Sequence, residues 1–276
     1  MSTPEGPFLS RFERFGRVAS TQRVVREWLA GGQPEVCLAV ADEQTAGRGR
    51  EGRAWQAPSG AALLLSAGFR PRDLALGHAW RLGATVALAM LDAAEEQGLR
   101  EGSLHLKWPN DIVADGPDGS PLKLAGVLGE TVPDAQGRYA GAAGLGARVA
   151  SAVVGIGVNV NWSAERYPAE LAASMTSLRE LAGRPVDREL LLDGFVARLE
   201  PRYAALLAGD FDVAGWSQRQ RTTGAWVEVE LAGERLVGRA TGVEPESGGL
   251  LLEVAGVARV LASGEVTRCR VAAQGV

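Results

Sequence analysis

The stretch Ile112-Val-Ala-Asp-Gly-Pro-Asp-Gly-Ser-Pro-Leu-Lys-Leu-Ala-Gly-Val-Leu-Gly-Glu-Thr131 decides the architecture. Its middle, residues 115–121, is dense in turn formers, and an apolar run lies on either side. Glycine supplies positive φ, proline presets its own φ, and Asp and Ser bond to nearby backbone, so this segment is a hairpin tip. The flanking runs, 112–115 and 124–131, are then antiparallel neighbours. Working outward, strands are expected at 104–108, 138–147 and 152–161, with two earlier ones at 36–41 and 61–69. Strands joined by short turns predict a mixed, mostly antiparallel sheet, with helices covering one face: an α+β fold.

Three segments carry helical signals. Residues 21–30 follow Ser20 or Thr21 as N-cap and stop at Gly31-Gly32. Asp73 can cap a helix over 74–97, where Ala79, Leu82, Val86, Met90 and Ala94 recur on one face and Gly98 ends the run. A third helix is expected over 187–207, kinked or interrupted at Pro201. Residues 1–17 read as a loose lead-in. After about Thr222 the texture changes to short alternating runs at 226–231, 236–243, 250–254 and 258–261, separated by glycine-bearing turns. This predicts a small C-terminal β-barrel over 221–276, attached to a larger unit over 1–220 that carries the site.

Composition narrows the function classes. Apolar content of 46% and charged content of 22% are ordinary for a soluble globular protein. A net charge of −4 and a pI near 5.4 argue against a surface built for nucleic acid. The start, Met-Ser-Thr-Pro-Glu-Gly-Pro, has neither the basic start nor the apolar core of a signal peptide, and no stretch is long and apolar enough to span a membrane. A cytoplasmic protein is expected. Cys37 and Cys269 read as separate buried thiols, and with two histidines, His78 and His105, no zinc constellation can be drawn.

Four stretches carry chemistry. Gly47-Arg-Gly-Arg-Glu-Gly-Arg-Ala-Trp55 alternates three arginines with three glycines, crowding guanidinium forks and bare backbone amides into one loop suited to a small anion. A solvated Arg-Gly linker has the same composition. The dinucleotide fingerprint, met literally by Gly47, Gly49 and Gly52, fails because no helix can open before Pro58 and Gly60. Lys107-Trp-Pro-Asn-Asp111 places Lys, Asn and Asp on a stiff strand-to-turn segment able to hold phosphate, ribose and a divalent metal; a polar turn beside a packed tryptophan is the plain alternative. Lys123 opens Lys-Leu-Ala-Gly126 at the mouth of a strand, where a lysine can also serve simply as an edge charge. In Val153-Val-Gly-Ile-Gly-Val-Asn-Val-Asn161, period two puts valines and Ile156 on one face, and Gly155, Gly157, Asn159 and Asn161 on the other. That second face suits a pocket floor; tight sheet-on-helix packing would explain the glycines but not the asparagines.

These four motifs, in this order, closely resemble the biotin protein ligases, most clearly over residues 18–161 and more loosely beyond. The resemblance implies a class II synthetase-like catalytic domain with an SH3-like C-terminal barrel, and an enzyme that joins biotin to ATP as biotinyl-5′-AMP and passes it to a lysine of a biotin carboxyl carrier protein. It implies that Ser20, Thr21, Gln22 and Gln44 contact the ureido end of biotin, with Gly47 and Gly126 shaping the biotin site. Arg48 and Lys123 would face the carboxylate and phosphate. Arg50, Arg53, Lys107, Asn110, Asp111 and Asn159 would serve ATP, with Trp55 ordering the loop over the product and Trp108 stacking nearby. Arg48, Lys123 and Asp111 are the catalytic candidates. Mg²⁺ would arrive with ATP, near Asp111, rather than occupy a fixed protein site. A lipoate or other acyl-carrier ligase, and a non-catalytic biotin sensor, are the alternatives on this scaffold. About 20 residues precede Ser20, too few for the DNA-binding module some members carry, so no nucleic-acid partner is expected. The oligomeric state is left open, a homodimer among the options.

Overall fold

The computed structural model describes residues 8–133, 146–231, 234–263 and 266–271. A seven-stranded sheet forms from β1 (Arg11–Val18), β2 (Cys37–Gln44), β3 (Ala62–Phe69), β4 (Leu104–Lys107), β5 (Asp111–Asp115), β6 (Pro121–Val132) and β7 (Ser151–Asn159). Its order is β1-β2-β3-β7-β6-β5-β4. Only the β1–β2 pair is parallel; every other neighbouring pair is antiparallel. The hairpin tip falls between β5 and β6, as the turn residues require. The strand expected at 138–147 lies almost wholly outside the described residues.

Alternation along the strands sends side chains to two different cores. Leu38, Val40, Val154, Ile156 and Val158 join the large core formed with α2 (Trp80–Glu95) and α4 (Arg188–Leu207). Cys37, Ala39 and Val153 point the other way and pack with Val25 and Leu29 of α1 (Thr21–Ala30). Thus α2 and α4 cover one face, whereas α1 sits on the opposite face near β2 and β3. The rest of that opposite face is where a cavity can form.

Three local expectations need correction. Residues 11–18 are not a loose lead-in but the edge strand β1, parallel to β2 and half-buried throughout most of its length. The helix expected from residue 74 begins at Trp80, because the preceding backbone is taken up by pairing: Val149 N donates to Leu74 O, and Leu76 N to Ala147 O. Asp73 therefore caps nothing and accepts from Arg148 instead. Nor does Pro201 break α4. Proline inside a helix costs about 3 kcal/mol. The six side chains α4 buries, including Leu191, Phe195 and Tyr203, return roughly 1.5–3 kcal/mol each.

Two short helices were not foreseen, α3 (Leu178–Ala182) and α5 (Val213–Gln218). Beyond them lies a five-stranded antiparallel sheet of β8 (Trp226–Leu231), β9 (Glu234–Val243), β10 (Leu250–Val254), β11 (Val257–Leu261) and β12 (Val266–Val271). Its order is β11-β10-β9-β8-β12, so among the described residues no pairing joins the two edges into a closed barrel. This second sheet is seated by tryptophans: the Trp108 indole donates to Gly248 O at 3.0 Å, and Trp80 to Glu246 O at 3.0 Å.

Candidate active site

Strand β7 builds the floor. It is buried along its whole length, with Val154, Ile156 and Val158 in the large core and Gly155, Gly157 and Asn159 facing a cavity of about 740 Å³. Across the ladder, Gly126 of β6 pairs with Gly157, so two bare backbones lie side by side at its centre. Glycine is required here by close approach: a Cβ on Gly157 would sit 2.5 Å from the Trp55 ring, and one on Gly155 would sit 2.7 Å from Gln22 Oε1.

One end of the cavity is neutral and polar. The start of α1 brings in Ser20, Thr21 and Gln22, and the end of β2 brings Gln44. Gln44 Oε1 accepts from Thr21 N at 2.7 Å and lies 3.1 Å from Thr21 Oγ1, which in turn lies 2.8 Å from Ser66 Oγ on β3. Gln22 Nε2 reaches Leu128 O at 3.4 Å. These contacts fix a cluster of uncharged donors and acceptors suited to a neutral, urea-like group.

The arginine loop forms the lip. It is a tight hairpin rather than a linker: Arg48 and Ala54 form an antiparallel bridge, Gly49 N donates to Arg53 O at 2.7 Å, and Trp55 N to Gly47 O at 2.9 Å. Its tip passes through the left-handed region at Glu51 and Gly52, with φ of 55° and 68°. Arg48, Arg50 and Arg53 all line the cavity, whereas Gly47 shapes the hairpin, since a Cβ there would meet Trp55 O at 2.5 Å. Burial lowers the Arg50 pKa from its ordinary value, with Glu51 and Asp111 opposing the shift. Arginine nonetheless keeps its charge at neutral pH.

The opposite end is charged. Lys123 Nζ lies 2.6 Å from Asp111 Oδ1, and both line the cavity beside Asn110, whose Nδ2 donates to Val127 O at 2.8 Å. Lys123 is no free edge residue: it pairs with Val113 of β5 on one side, and on the other its N donates to Ser174 O and its O accepts from Thr176 N. Asn159 is buried and donates to Thr176 O at 3.0 Å, holding the same segment against the floor. Lys107 Nζ donates to Cys269 O of β12 at 3.0 Å, and Arg50 donates to Ser263 O in the connection between β11 and β12, so the C-terminal segment holds two cations of the site.

Of the residues the resemblance assigns to ligands, only Gly47 and Trp108 fail to line the cavity; Asn161, expected on the pocket floor, instead exchanges hydrogen bonds with the Val186 backbone. Trp108 is 1% exposed, and its backbone and indole nitrogens donate to Thr222 Oγ1 and Gly248 O. It therefore anchors the second sheet rather than facing the cavity where a nucleotide stack was expected. Ser66, Met175, Cys269 and Arg270 line the cavity without having been foreseen. A serine inside the apolar run 61–69 could have signalled Ser66; nothing in the sequence marks the other three.

Comparison with known proteins places this geometry. The sequence profile of the biotin/lipoate A/B protein ligase family matches residues 15–146. The chain is similar to the biotin--[acetyl-CoA-carboxylase] ligase of Mycobacterium tuberculosis, at 32% identity over 87% of this chain and 82% of that protein. It is also similar to the bifunctional ligase/repressor BirA of Bacillus subtilis, at 32% identity over 86% of this chain and 67% of that protein. Among solved structures, the biotin protein ligase of Aquifex aeolicus in complex with biotin and ATP superposes with a TM-score of 0.74 at 26% identity, covering 95% of this chain and 99% of that one.

Proposed function

Because the chain belongs to the biotin/lipoate A/B protein ligase family, we infer that its cavity activates biotin with ATP and delivers it to a lysine of a carrier protein. The observation that carries this reading is a single cavity with a neutral polar end, a glycine floor and a cationic end. Biotin has the same three parts in the same order: a ureido ring, an alkyl chain and a carboxylate.

In the first step a carboxylate oxygen of biotin attacks the α-phosphorus of ATP, giving biotinyl-5′-AMP and expelling pyrophosphate. Two anions must be brought together, so fixed cations have to offset their repulsion and the charge developing on phosphorus. Arg48 and Lys123 are assigned to the carboxylate and α-phosphate, Arg50, Arg53 and Lys107 to the remaining phosphates, and Asn110 and Asn159 to the nucleoside side. Thr21, Gln22, Gln44 and Ser66 take the ureido ring. Mg²⁺ would arrive bound to ATP, and Asp111 is the carboxylate assigned to hold it.

In the second step a lysine amine of the carrier attacks the acyl carbon, forming the amide and releasing AMP. The amine must lose a proton on the way, and Asp111 is the acceptor assigned. The carrier is the biotin carboxyl carrier protein of a biotin-dependent carboxylase. Two buried free cysteines suit the reducing cytoplasm, the compartment assigned here; no helix among the described residues is long and apolar enough to cross a membrane.

The test is to mix the protein with ATP labelled at the α-phosphate and either biotin or lipoate, without carrier. Biotinyl-AMP in the biotin arm and little lipoyl-AMP in the other is the expected result; the reverse preference would reassign the ligand.

A further inference from the structure

Ser66 sits in β3 among apolar neighbours and is 1% exposed. Leu63, Leu65 and Ala67 turn into the large core, so Ser66 faces the opposite side, towards α1 and the cavity. Its partner across the ladder is Gly155, where a Cβ would come within 3.2 Å of Ser66 Oγ, so the glycine leaves the hydroxyl its space. A hydroxyl this deeply buried costs stability unless it is bonded. The bond it makes is to Thr21 Oγ1 at 2.8 Å, and Thr21 is itself only 2% exposed.

The direction of that bond follows from its neighbours. Thr21 N can only donate, and it lies 2.7 Å from Gln44 Oε1, so the oxygen end of the Gln44 amide faces α1. That oxygen can only accept, and Thr21 Oγ1 lies 3.1 Å from it, so the threonine proton goes to Gln44. A hydroxyl has a single proton, so the proton between Ser66 and Thr21 belongs to Ser66. The chain of bonds therefore runs from Ser66 to Thr21 to Gln44. It leaves a lone pair on Thr21 Oγ1 as an acceptor and the N–H groups of Gln44 Nε2 as donors, and both residues line the cavity. Threonine in a helix divides between two χ1 rotamers. Thr21 opens α1, and its bonds to Ser66 and Gln44 hold Oγ1 in one of them.

We propose that Ser66 is a positioning residue for recognition of the ureido ring, acting through Thr21. By donating to Thr21 Oγ1 it fixes an acceptor beside the Gln44 donors, and that pair matches an N–H and the C=O of a cyclic urea. The inference rests on the cavity being the biotin site. A dithiolane ring, as in lipoate, offers neither group, so the same chain of bonds favours the urea. Without Ser66 the Thr21 hydroxyl keeps rotamer freedom that the ligand must remove on binding, and affinity falls.

The experiment measures biotin binding by calorimetry for the unaltered full chain, Ser66→Ala, Thr21→Val and the double variant. Ser66→Ala should weaken biotin about three- to tenfold, the worth of one hydrogen bond. Thr21→Val should weaken it further, and adding Ser66→Ala to Thr21→Val should change affinity by less than about twofold, since the relay is already broken. Desthiobiotin, which keeps the urea and lacks the thioether ring, should lose the same factor in Ser66→Ala. In steady-state adenylation the loss should fall on the KM for biotin and not on that for ATP. Unchanged affinity in Ser66→Ala, losses that add in the double variant, or a KM for ATP that rises as much as that for biotin would each overturn the proposal while biotin still binds. No biotin heat with the unaltered chain would overturn the biotin reading of the cavity, and the proposal with it.

Discussion

Lys123 and Asp111 lie 2.6 Å apart at the charged end of the cavity, and the account asks opposite things of them. Lys123 offsets negative charge in the first step, while Asp111 serves the metal escort and the incoming amine. Replacing Lys123 with alanine should cut the single-turnover rate of adenylate formation well over tenfold, as loss of one preorganised charge donor does elsewhere. Rapid-quench measurement checks this, and a mild effect would return Lys123 to a structural role. The two thiols make a separate prediction. Burial pushes the Cys37 pKa up to about 11 and raises that of Cys269. The thiolate is the reactive form, so a raised pKa suppresses reaction of both thiols at pH 8, and Cys37 becomes reactive only as pH climbs towards 11. An aromatic disulfide reagent should label neither cysteine in the folded protein at pH 8 and both in urea. Most site residues were legible because anion chemistry needs several cations and glycines in short runs, as in residues 47–55 and 107–111. Ser66 left only a weak signal, a polar residue inside the apolar run 61–69; Cys269 and Arg270 left none, because only the seating of the second sheet brings them to the cavity.

At the level of elements, the hairpin around residues 115–121 and the helix Thr21–Ala30 could be read from turn and terminus residues alone, although Ser20 makes no side-chain capping bond. What escaped was set by partners distant in sequence. Strand β1 looks unstructured in isolation, since its charged residues suit solvent, and only pairing with β2 makes it a strand. The same holds at residues 74–76, where bonds to 147–149 outcompete the first turn of a helix. The seam between the sheets is equally non-local. A Cβ on Gly248 would lie 2.5 Å from Trp80 Cδ2, and the residue has φ of +68°. Gly248→Val should therefore disturb the Trp80 and Trp108 indoles together and destabilise the protein by about 1–3 kcal/mol, as overpacking does. Urea denaturation followed by tryptophan fluorescence measures it; an unchanged midpoint would mean the seam contributes little.

Across the whole molecule, the glycine floor of β7 and β6 gives a ligand room, the start of α1 and end of β2 supply neutral polarity, and the charged end is completed from both sheets through Lys107 and Arg50. A mostly antiparallel sheet with helices and a separate C-terminal run of strands could be read from the change in texture near Thr222, but not that the C-terminal segment holds side chains lining the cavity. Whether five strands form a closed barrel depends on edges that no local pattern specifies. The most direct measurement of the central claim mixes the pure protein with biotin, ATP, Mg²⁺ and a biotin carboxyl carrier domain, with arms lacking ATP or replacing biotin by lipoate, and probes the carrier for covalent label. The account predicts biotin on the carrier's lysine only when ATP is present. A carrier left unlabelled while the protein still binds biotin, or one labelled by lipoate in preference, would contradict it.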